Sequence, residues 1–236
     1  MKKSITVVVA AYNEEGYLER AIKKYVNALN KTPLDYEILI INDGSKDRTD
    51  EIANQLAKKY PQVRVSHNKR NRNLGYVFRK AVRLAKKNYI TLFPGEGELL
   101  ASSIRKNLSY IGKADIIVPH IGNPKLRPFY RRVISSGFTT LLNLLFGLHL
   151  KYYNGHVINK VKVLRKTRMT TDSFAYEAEI LIRLLKGKKK YSYIQVPYYT
   201  EKRTGKSAAL KIKNLIMVCW TVIRLLRDIR SEKNDS

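Results

Sequence analysis

The sequence contains a single cysteine, Cys219, among 236 residues. One cysteine cannot form an internal disulfide, and it excludes any metal site built from several thiolates. Cys219 lies in an apolar segment, which predicts a buried and unreactive thiol. Such low cysteine usage is consistent with a reducing compartment.

Acidic residues are also scarce, because 19 Asp and Glu stand against 46 Lys and Arg, for a formal net charge of +27. A positive charge of this size attracts polyanions such as nucleic acids, anionic lipids and phosphorylated substrates. No known nucleic-acid-binding motif is present, so a nucleic-acid-binding module is the weaker interpretation. We therefore expect phosphorylated substrates and anionic lipid, and no nucleic acid, as partners.

Long apolar runs are missing too, although a membrane-spanning helix needs ~20 predominantly apolar residues. Residues 215–223 form too short a run, and polar side chains interrupt residues 133–150. Either segment is suited to a membrane interface. The amino terminus leads directly into a strand-like segment, which does not resemble a signal peptide.

Strand-like and helix-like patterns alternate along the chain, which predicts a mostly parallel sheet flanked by helices. The predicted strands are 5–11, 37–41, 63–65, 89–93, 116–118 and 191–196. The predicted helices are 18–29, 52–57, 74–87, 104–108, 128–147, 174–186 and 208–229. No repeat or linker divides the chain, so we expect one domain, residues 1–230, and a frayed tail, residues 231–236.

Three polar clusters follow strands of this predicted sheet, at residues 12–15, 42–47 and 94–98. Ligands of open parallel sheets bind beyond the carboxyl ends of the strands. Turn chemistry explains each cluster alone, because Asp-Gly is a common turn pair. Their convergence on one crevice favours a binding site.

The first two clusters also carry a family resemblance. Residues 8–15 (VVAAYNEE), followed by residues 42–47 (NDGSKD), resemble the opening of family 2 glycosyltransferases. Residues 73–75 resemble the family's Asn-x-Gly segment, and residues 203–207 (RTGKS) resemble the dolichol-phosphate mannosyltransferase branch. The resemblance implies the GT-A fold, a hexosyltransferase that uses a nucleotide-sugar donor (a GDP- or UDP-sugar), and inversion at the anomeric carbon.

The resemblance further implies that Asp43 hydrogen-bonds the donor's base and that the turn before Glu15 encloses the nucleotide. A carboxylate only accepts hydrogen bonds, which suits a base N–H. We expect Asp43 in an exposed turn, and Asp47 as the cap of the helix that follows. The implied donor-binding residues are Ala11, Tyr12, Asn13, Glu15, Asp43 and Lys206.

The third cluster departs from the family, which normally has Asp-x-Asp here to bind the metal that bridges the donor phosphates. In this chain Pro94 takes the first acidic position and Glu96 the second. Mg²⁺ and Mn²⁺ often need only one or two carboxylates from protein. We therefore predict a Mg²⁺ or Mn²⁺ site at Glu96, alone or with Glu98. The alternative is a degenerate motif in which Lys and Arg neutralise the diphosphate.

In the family that the chain resembles, basic residues hold the donor diphosphate and the lipid phosphate. The resemblance matches them to Arg127, Arg131 and Arg203. Arg clamps phosphate through paired donors. Arg127 and Arg131 are four residues apart, so they share a helix face if that helix begins near Arg127. The resemblance makes these three arginines the catalytic residues.

The type of acceptor determines whether the reaction needs a general base. A sugar hydroxyl needs a general base, for which Glu177 and Glu179 are the candidates. A lipid phosphate is already anionic and needs none. The basic carboxyl half favours a polyprenyl (dolichyl or undecaprenyl) phosphate, while a glycan or lipid hydroxyl acceptor and an inactive relative remain as alternatives.

The last predicted helix carries an apolar stripe framed by Lys and Arg. A stripe of this spacing is more often core than membrane contact, but the basic frame also suits an anionic membrane surface. We expect a cytoplasmic protein, peripheral on the inner face of a membrane. The stripe consists of Ile212, Leu215, Ile216, Cys219, Val222, Ile223, Leu226 and Ile229.

Overall fold

The computed structural model describes residues 3–201 and 212–234. Its strands are β1 (Ser4–Ala11), β2 (Asp35–Asn42), β3 (Val63–His67), β4 (Tyr89–Pro94), β5 (Ile116–Ile121), β6 (Ile158–Lys160) and β7 (Tyr193–Tyr198). They form a seven-stranded sheet in the order β3-β2-β1-β4-β6-β5-β7. β6 pairs antiparallel with both of its neighbours, and the other pairs are parallel.

Helices cover both faces of the sheet. They are α1 (Leu18–Asn30), α2 (Thr49–Lys59), α3 (Asn73–Leu84), α4 (Ala101–Leu108), α5 (Phe129–Phe146), α6 (Val161–Leu164), α7 (Tyr176–Lys186) and α8 (Ile212–Asn234). The alternating side chains of β1 explain this layering, because Val7 and Val9 pack with α1, α2 and α4 whereas Val8 packs with α3, α5, α7 and α8. A strand that is apolar on both faces is typical of a covered parallel sheet.

All six strands predicted from the sequence are present, so the α/β fold class is confirmed. β6 was not predicted, because three residues are too few to show a period of two. This strand joins the two halves of the sheet, pairing Ile90 of β4 and Ile116 of β5 with the same residue, Asn159. The predicted frayed tail was partly wrong, since α8 continues to Asn234.

α8 presents two different apolar faces rather than one stripe. Val222, Leu225 and Ile229 are buried, and a second set of side chains is exposed: Ile216, Trp220 and Ile223. The prediction of a buried thiol was wrong, because Cys219 is exposed on this second side. One apolar face of α8 therefore packs into the core. The other face is not covered by any part of the chain that the structure describes.

α5 is similarly uncovered. Only Leu142 and Phe146 of this helix are buried, and the helix ends at Gly147, whose φ of 57° favours glycine. The exposed apolar side chains of α5 are Phe129, Tyr130, Val133, Ile134, Leu141, Leu144 and Leu145. Across residues 3–201 and 212–234, no helix is both long enough and apolar enough to cross a bilayer.

Candidate active site

The turns that follow β1 and β2 are tied to each other by hydrogen bonds. The backbone N–H of Asn13 donates to Ser45 Oγ at 3.0 Å, and the N–H of Lys46 donates back to Asn13 Oδ1 at 2.9 Å. Glu15 N–H donates to Asp47 Oδ2 at 3.2 Å. Asn13 adopts a φ of 55°, which asparagine tolerates better than most residues. The two polar clusters therefore form one rigid rim.

Tyr12 and Ala11 contribute to this rim in different ways. Ala11 is buried, and its carbonyl oxygen accepts the N–H of Asp43 at 2.8 Å. The Tyr12 side chain is 42% exposed. An exposed aromatic ring beside a polar turn offers a stacking surface for a nucleotide base, whereas Ala11 can offer only its backbone.

Asp43 is buried, with 4% exposure, and the expectation of an exposed turn was wrong. Its carboxylate accepts Asn68 Nδ2–H at 2.7 Å and the backbone N–H groups of Arg72 and Asn73 at 3.0 Å each. Burial raises the pKa of Asp43, although these hydrogen bonds and the nearby Arg72 oppose the shift. The N–H of Arg72 also lies 3.0 Å from Oδ2, so these protein donors contact both oxygens of the carboxylate.

The segment that donates to Asp43 can approach because residue 44 is glycine. Gly44 has a φ of +72°, and a Cβ there would lie 2.5 Å from the backbone carbon of Arg70. The prediction that Asp47 is the N-cap of α2 was wrong by one residue, because Arg48 holds that position. Asp47 Oδ1 nevertheless accepts the N–H of Thr49, the first residue of α2, at 3.1 Å. Asp47 therefore fixes the rim and the start of α2, while Asp43 holds the segment from Asn68 to Asn73.

The third turn, which carries Glu96 and Glu98, rests on α1. The Tyr25 hydroxyl donates to the carbonyl oxygen of Pro94 at 2.6 Å, and Lys24 Nζ donates to that of Gly97 at 3.0 Å. Burial raises the pKa of Tyr25, and the charges of Glu98 and Glu96 raise it further. Both carboxylates therefore lie near the same hydroxyl.

Close backbone packing joins the third turn to the first. A Cβ on Gly95 would lie 2.9 Å from the carbonyl oxygen of Ala10 and 3.5 Å from Glu14 Cγ. Within the described part of the chain, no three His, Cys, Asp or Glu side chains form a group that could hold a metal ion. An ion at Glu96 and Glu98 would therefore take its remaining ligands from water or substrate.

Arg127 precedes α5, which begins at Phe129, so the predicted helix face shared with Arg131 was wrong. The guanidinium carbon of Arg127 lies 6.0 Å from the ring centroid of Tyr152. Burial raises the pKa of Tyr152, the charge of Arg127 lowers it, and the charges of Glu177 and Glu98 raise it. Tyr152 is therefore a direct neighbour of Arg127.

The remaining predicted arginines are placed differently. Arg131 is partly buried in the first turn of α5. Arg203 and Lys206 lie outside the described residues. Of the three predicted arginines, the structure therefore describes two: Arg127, and Arg131 at the start of α5.

Glu179 is 1% exposed and its carboxylate is occupied by protein donors. It accepts the N–H and hydroxyl groups of Thr170, the N–H of Thr171 and Nε–H of Arg183 at 3.2 Å. These contacts make Glu179 an anchor for the segment before α7 rather than a base. Apart from the helical spacing of apolar residues in α7, nothing in the sequence indicates that Glu179 lies on the buried side of this helix.

Glu177 is also buried, and its Oε1 accepts the N–H of Val157 at 3.3 Å. Burial raises the pKa of Glu177 well above its ordinary value. With 5% exposure, the Glu177 carboxylate is largely shielded from an acceptor hydroxyl, which a general base must contact. Both candidate bases are thus integrated into the core around β6.

Sequence reasoning missed several residues that shape the site. Asn68 and Arg72 hold Asp43, Tyr25 supports the acidic turn, and Tyr152 contacts Arg127. The segment at residues 73–75 was singled out, but nothing in the sequence connects it to Asp43. Long-range pairing of this kind is visible only once the strands are placed.

The chain matches the model of the family described as glycosyl transferase family 2 over residues 6–168. It is 26% identical to a dolichol-phosphate mannosyltransferase of Pyrococcus furiosus over 232 residues, 94% of this chain and 64% of that protein. It is 28% identical to a dolichyl-phosphate beta-glucosyltransferase of Trichomonas vaginalis over 158 residues, 61% of this chain and 49% of that protein. The chain thus spans about half to two thirds of the length of these relatives.

A solved structure shows the same architecture. Glucosyl-3-phosphoglycerate synthase from Mycobacterium tuberculosis, in complex with Mg²⁺ and uridine diphosphate, superposes with a TM-score of 0.69 at 14% identity. The match covers 95% of this chain and 79% of that one. At this identity the likeness establishes the fold alone, which is GT-A.

Proposed function

Because the chain belongs to glycosyl transferase family 2, we propose that it transfers a sugar, with inversion, from a nucleotide-sugar donor to a polyprenyl phosphate. The relatives with dolichyl-phosphate activities support this acceptor class. The observation that carries the proposal is that both candidate bases are buried, Glu179 with protein donors on its carboxylate, whereas Arg127 is partly exposed beside Tyr152.

The donor occupies the crevice formed by the three strand-end turns. In this proposal a base N–H donates to Asp43, with Tyr12 beside the base, and the rim of Asn13 and Glu15 encloses the nucleotide. The protein donors around Asp43 fix the carboxylate before the base arrives, which lowers the entropic cost of binding. Lys206 completes the diphosphate contacts in this proposal.

The acidic turn suits a divalent cation. Glu96 and Glu98 lie two residues apart in one turn, and Mg²⁺ or Mn²⁺ often needs only one or two protein carboxylates together with phosphate and water. The relative with bound Mg²⁺ and uridine diphosphate supports this assignment. A bound cation neutralises charge on the leaving diphosphate.

The reaction itself requires no proton transfer. An oxygen of the acceptor phosphate forms a bond to the anomeric carbon as the bond to the donor diphosphate breaks, and the nucleoside diphosphate leaves with the electron pair. Two anions must approach closely, so fixed cations between them lower the barrier. Arg127, Arg131 and Arg203 supply these cations in our proposal.

The acceptor assignment can be tested with radiolabelled GDP- and UDP-sugars incubated with polyprenyl phosphate and, separately, with soluble glycan acceptors. We expect label to enter the organic phase only with polyprenyl phosphate. Label that remains in the aqueous phase on a glycan, at comparable rates, would show a hydroxyl acceptor instead. The anomeric configuration of the product, read by NMR, tests inversion independently.

We expect turnover to require a divalent cation that is bound by the acidic turn, which carries Glu96 and Glu98. Glu96→Gln should lower turnover more than Glu98→Gln, by roughly tenfold or more, because Glu96 takes the position of the family's second acid. Turnover is measured across a Mg²⁺ and Mn²⁺ titration for both variants. Full activity in excess chelator would assign diphosphate neutralisation to the basic residues alone.

The exposed faces of α5 and α8 support attachment to the cytoplasmic face of a membrane. Both helices pack on the same core cluster and so lie on the same face of the sheet. α8 adds exposed basic side chains at Arg224, Arg227 and Arg230. Apolar side chains framed by basic ones are typical of interfacial helices.

We expect the protein to sediment with anionic vesicles at low salt and to be released as salt rises. Each Lys or Arg near such a surface contributes about 1 kcal/mol, and screening removes much of it. Trp220→Ala should weaken sedimentation, whereas substitution of the exposed Tyr17, which precedes α1 on the other sheet face, should not. Equal binding to neutral vesicles would assign the contact to apolar side chains instead.

A further inference from the structure

A groove with a volume of about 380 Å³ lies between α1 and α4. Its lining contains five basic side chains and one amide: Arg20, Lys23, Lys24 and Asn27 from α1, Lys31 directly after α1, and Arg105 from α4. No carboxylate is among the groove-lining residues in the part of the chain that the structure describes. The groove is therefore strongly electropositive.

Most of this charge is uncompensated. Lys24 pairs with Glu201 at 2.6 Å, whereas the described residues provide no ion pair for Arg20, Lys23, Lys31 or Arg105. Like charges held in one concave surface repel one another, and the field of a cleft is focused by its walls. An anion in the groove would relieve this repulsion.

The spacing of the polar lining residues indicates an extended ligand. Positions 20, 24, 27 and 31 recur every three or four residues, and Lys23 lies next to Lys24, so they follow one side of α1 and its C-cap. At 1.5 Å per residue, the line from Arg20 to Lys31 is about 16 Å long. A single phosphate would contact only part of this line.

We propose that the groove between α1 and α4 binds a linear polyanion built from phosphate groups, with inorganic polyphosphate as the simplest example. The groove lies on the sheet face of α1 and α4, opposite to α5 and α8, so a membrane bound at those helices does not reach it. Its lining includes no aromatic side chain among the described residues, and base stacking, which single-stranded nucleic acids use, is therefore not provided.

The groove is connected to the acidic turn through Lys24. The Lys24 ammonium group donates both to the carbonyl oxygen of Gly97 and to Glu201. A polyanion in the groove competes with these two acceptors for the same ammonium group. A polyanion bound in the groove would therefore also weaken the contact between Lys24 and the turn that carries Glu96 and Glu98.

The test measures binding of a short linear inorganic polyphosphate to the full chain by calorimetry, with and without saturating UDP or GDP. The double variant Lys23→Glu/Lys31→Glu is compared with Lys162→Glu/Lys166→Glu, which makes the same change of charge on exposed residues away from the groove. We expect the groove variant to bind roughly tenfold more weakly and with a smaller salt dependence, and the control to change by less than about twofold.

Equal weakening in both variants would show attraction by net charge alone and would overturn the proposal. Complete displacement of polyphosphate by UDP or GDP would place it in the donor crevice and would also overturn it. Tighter binding of a single-stranded RNA of matched charge, lost in the same groove variant, would assign the groove to nucleic acid. Because the groove variant leaves the donor residues intact, a failed transferase assay does not affect this result.

Discussion

Asp43→Ala is expected to abolish measurable donor binding and to lower the free energy of unfolding by about 2–4 kcal/mol. Three N–H donors converge on this buried carboxylate, and alanine leaves all of them without their acceptor. The segment from Asn68 to Asn73 then loses its attachment to the Asp43 side chain, and only the N–H of Asn68 still donates to Asn42 at the end of β2. Donor affinity falls because both the base contact and the wall of the crevice depend on that attachment.

Calorimetric titration with UDP and GDP gives the affinity, and urea unfolding gives the stability. Asp43→Asn keeps the size of the side chain but points an amide N–H₂ group at donor groups, so we expect it to lose affinity as well. Asp50→Ala is the matched control, since it removes an exposed carboxylate from the first turn of α2 while leaving the Asp43 cluster intact. Unchanged stability and affinity in Asp43→Ala would remove this residue from the site.

Arg127→Lys is expected to lower turnover by roughly 100-fold while changing donor affinity little. Lysine keeps the charge but lacks the planar pair of donors that can bridge two phosphate oxygens. The contact with Tyr152 holds the guanidinium group in place, and lysine cannot reproduce that geometry. Arg83→Lys, on the exposed side of α3, provides the matched control.

Glu177→Gln separates the two acceptor chemistries. Glutamine keeps an oxygen for the N–H of Val157, and a phosphate acceptor needs no base, so turnover should change by less than about threefold. Loss of turnover in Glu177→Gln, together with tolerance of Arg127→Lys, would show that the acceptor is a hydroxyl. The polyprenyl phosphate proposal would then be wrong.

The sequence predicted the parallel part of the sheet well, because β1 and β2 are long, apolar and flanked by clear turn residues. It could not predict β6, because these three residues are recognisable as a strand only from their pairing with β4 and β5. The two apolar faces of α8 were likewise merged into one stripe, since a pattern of apolar residues does not say which side meets a core. That merger produced the wrong expectation for Cys219.

The site was partly predictable for a similar reason. The strand-end turns have local signals such as Asp43-Gly44, and the structure brings them together at one edge. The burial of Asp43 depends on Asn68 and Arg72, which are distant in sequence and carry no local signal. The placement of Arg127 outside α5 depends on the extended backbone of Pro128, whose ψ is 144°.

The position of β6 has a consequence for the order in which the protein is made. Strands β3, β2, β1 and β4 use only residues up to 94, so they can pair while the rest of the chain is still on the ribosome. The outer edge of β4 then stays open until residues 158–160 have been synthesised. Open strand edges invite pairing with other chains, so this interval is when the nascent protein most needs protection by a chaperone.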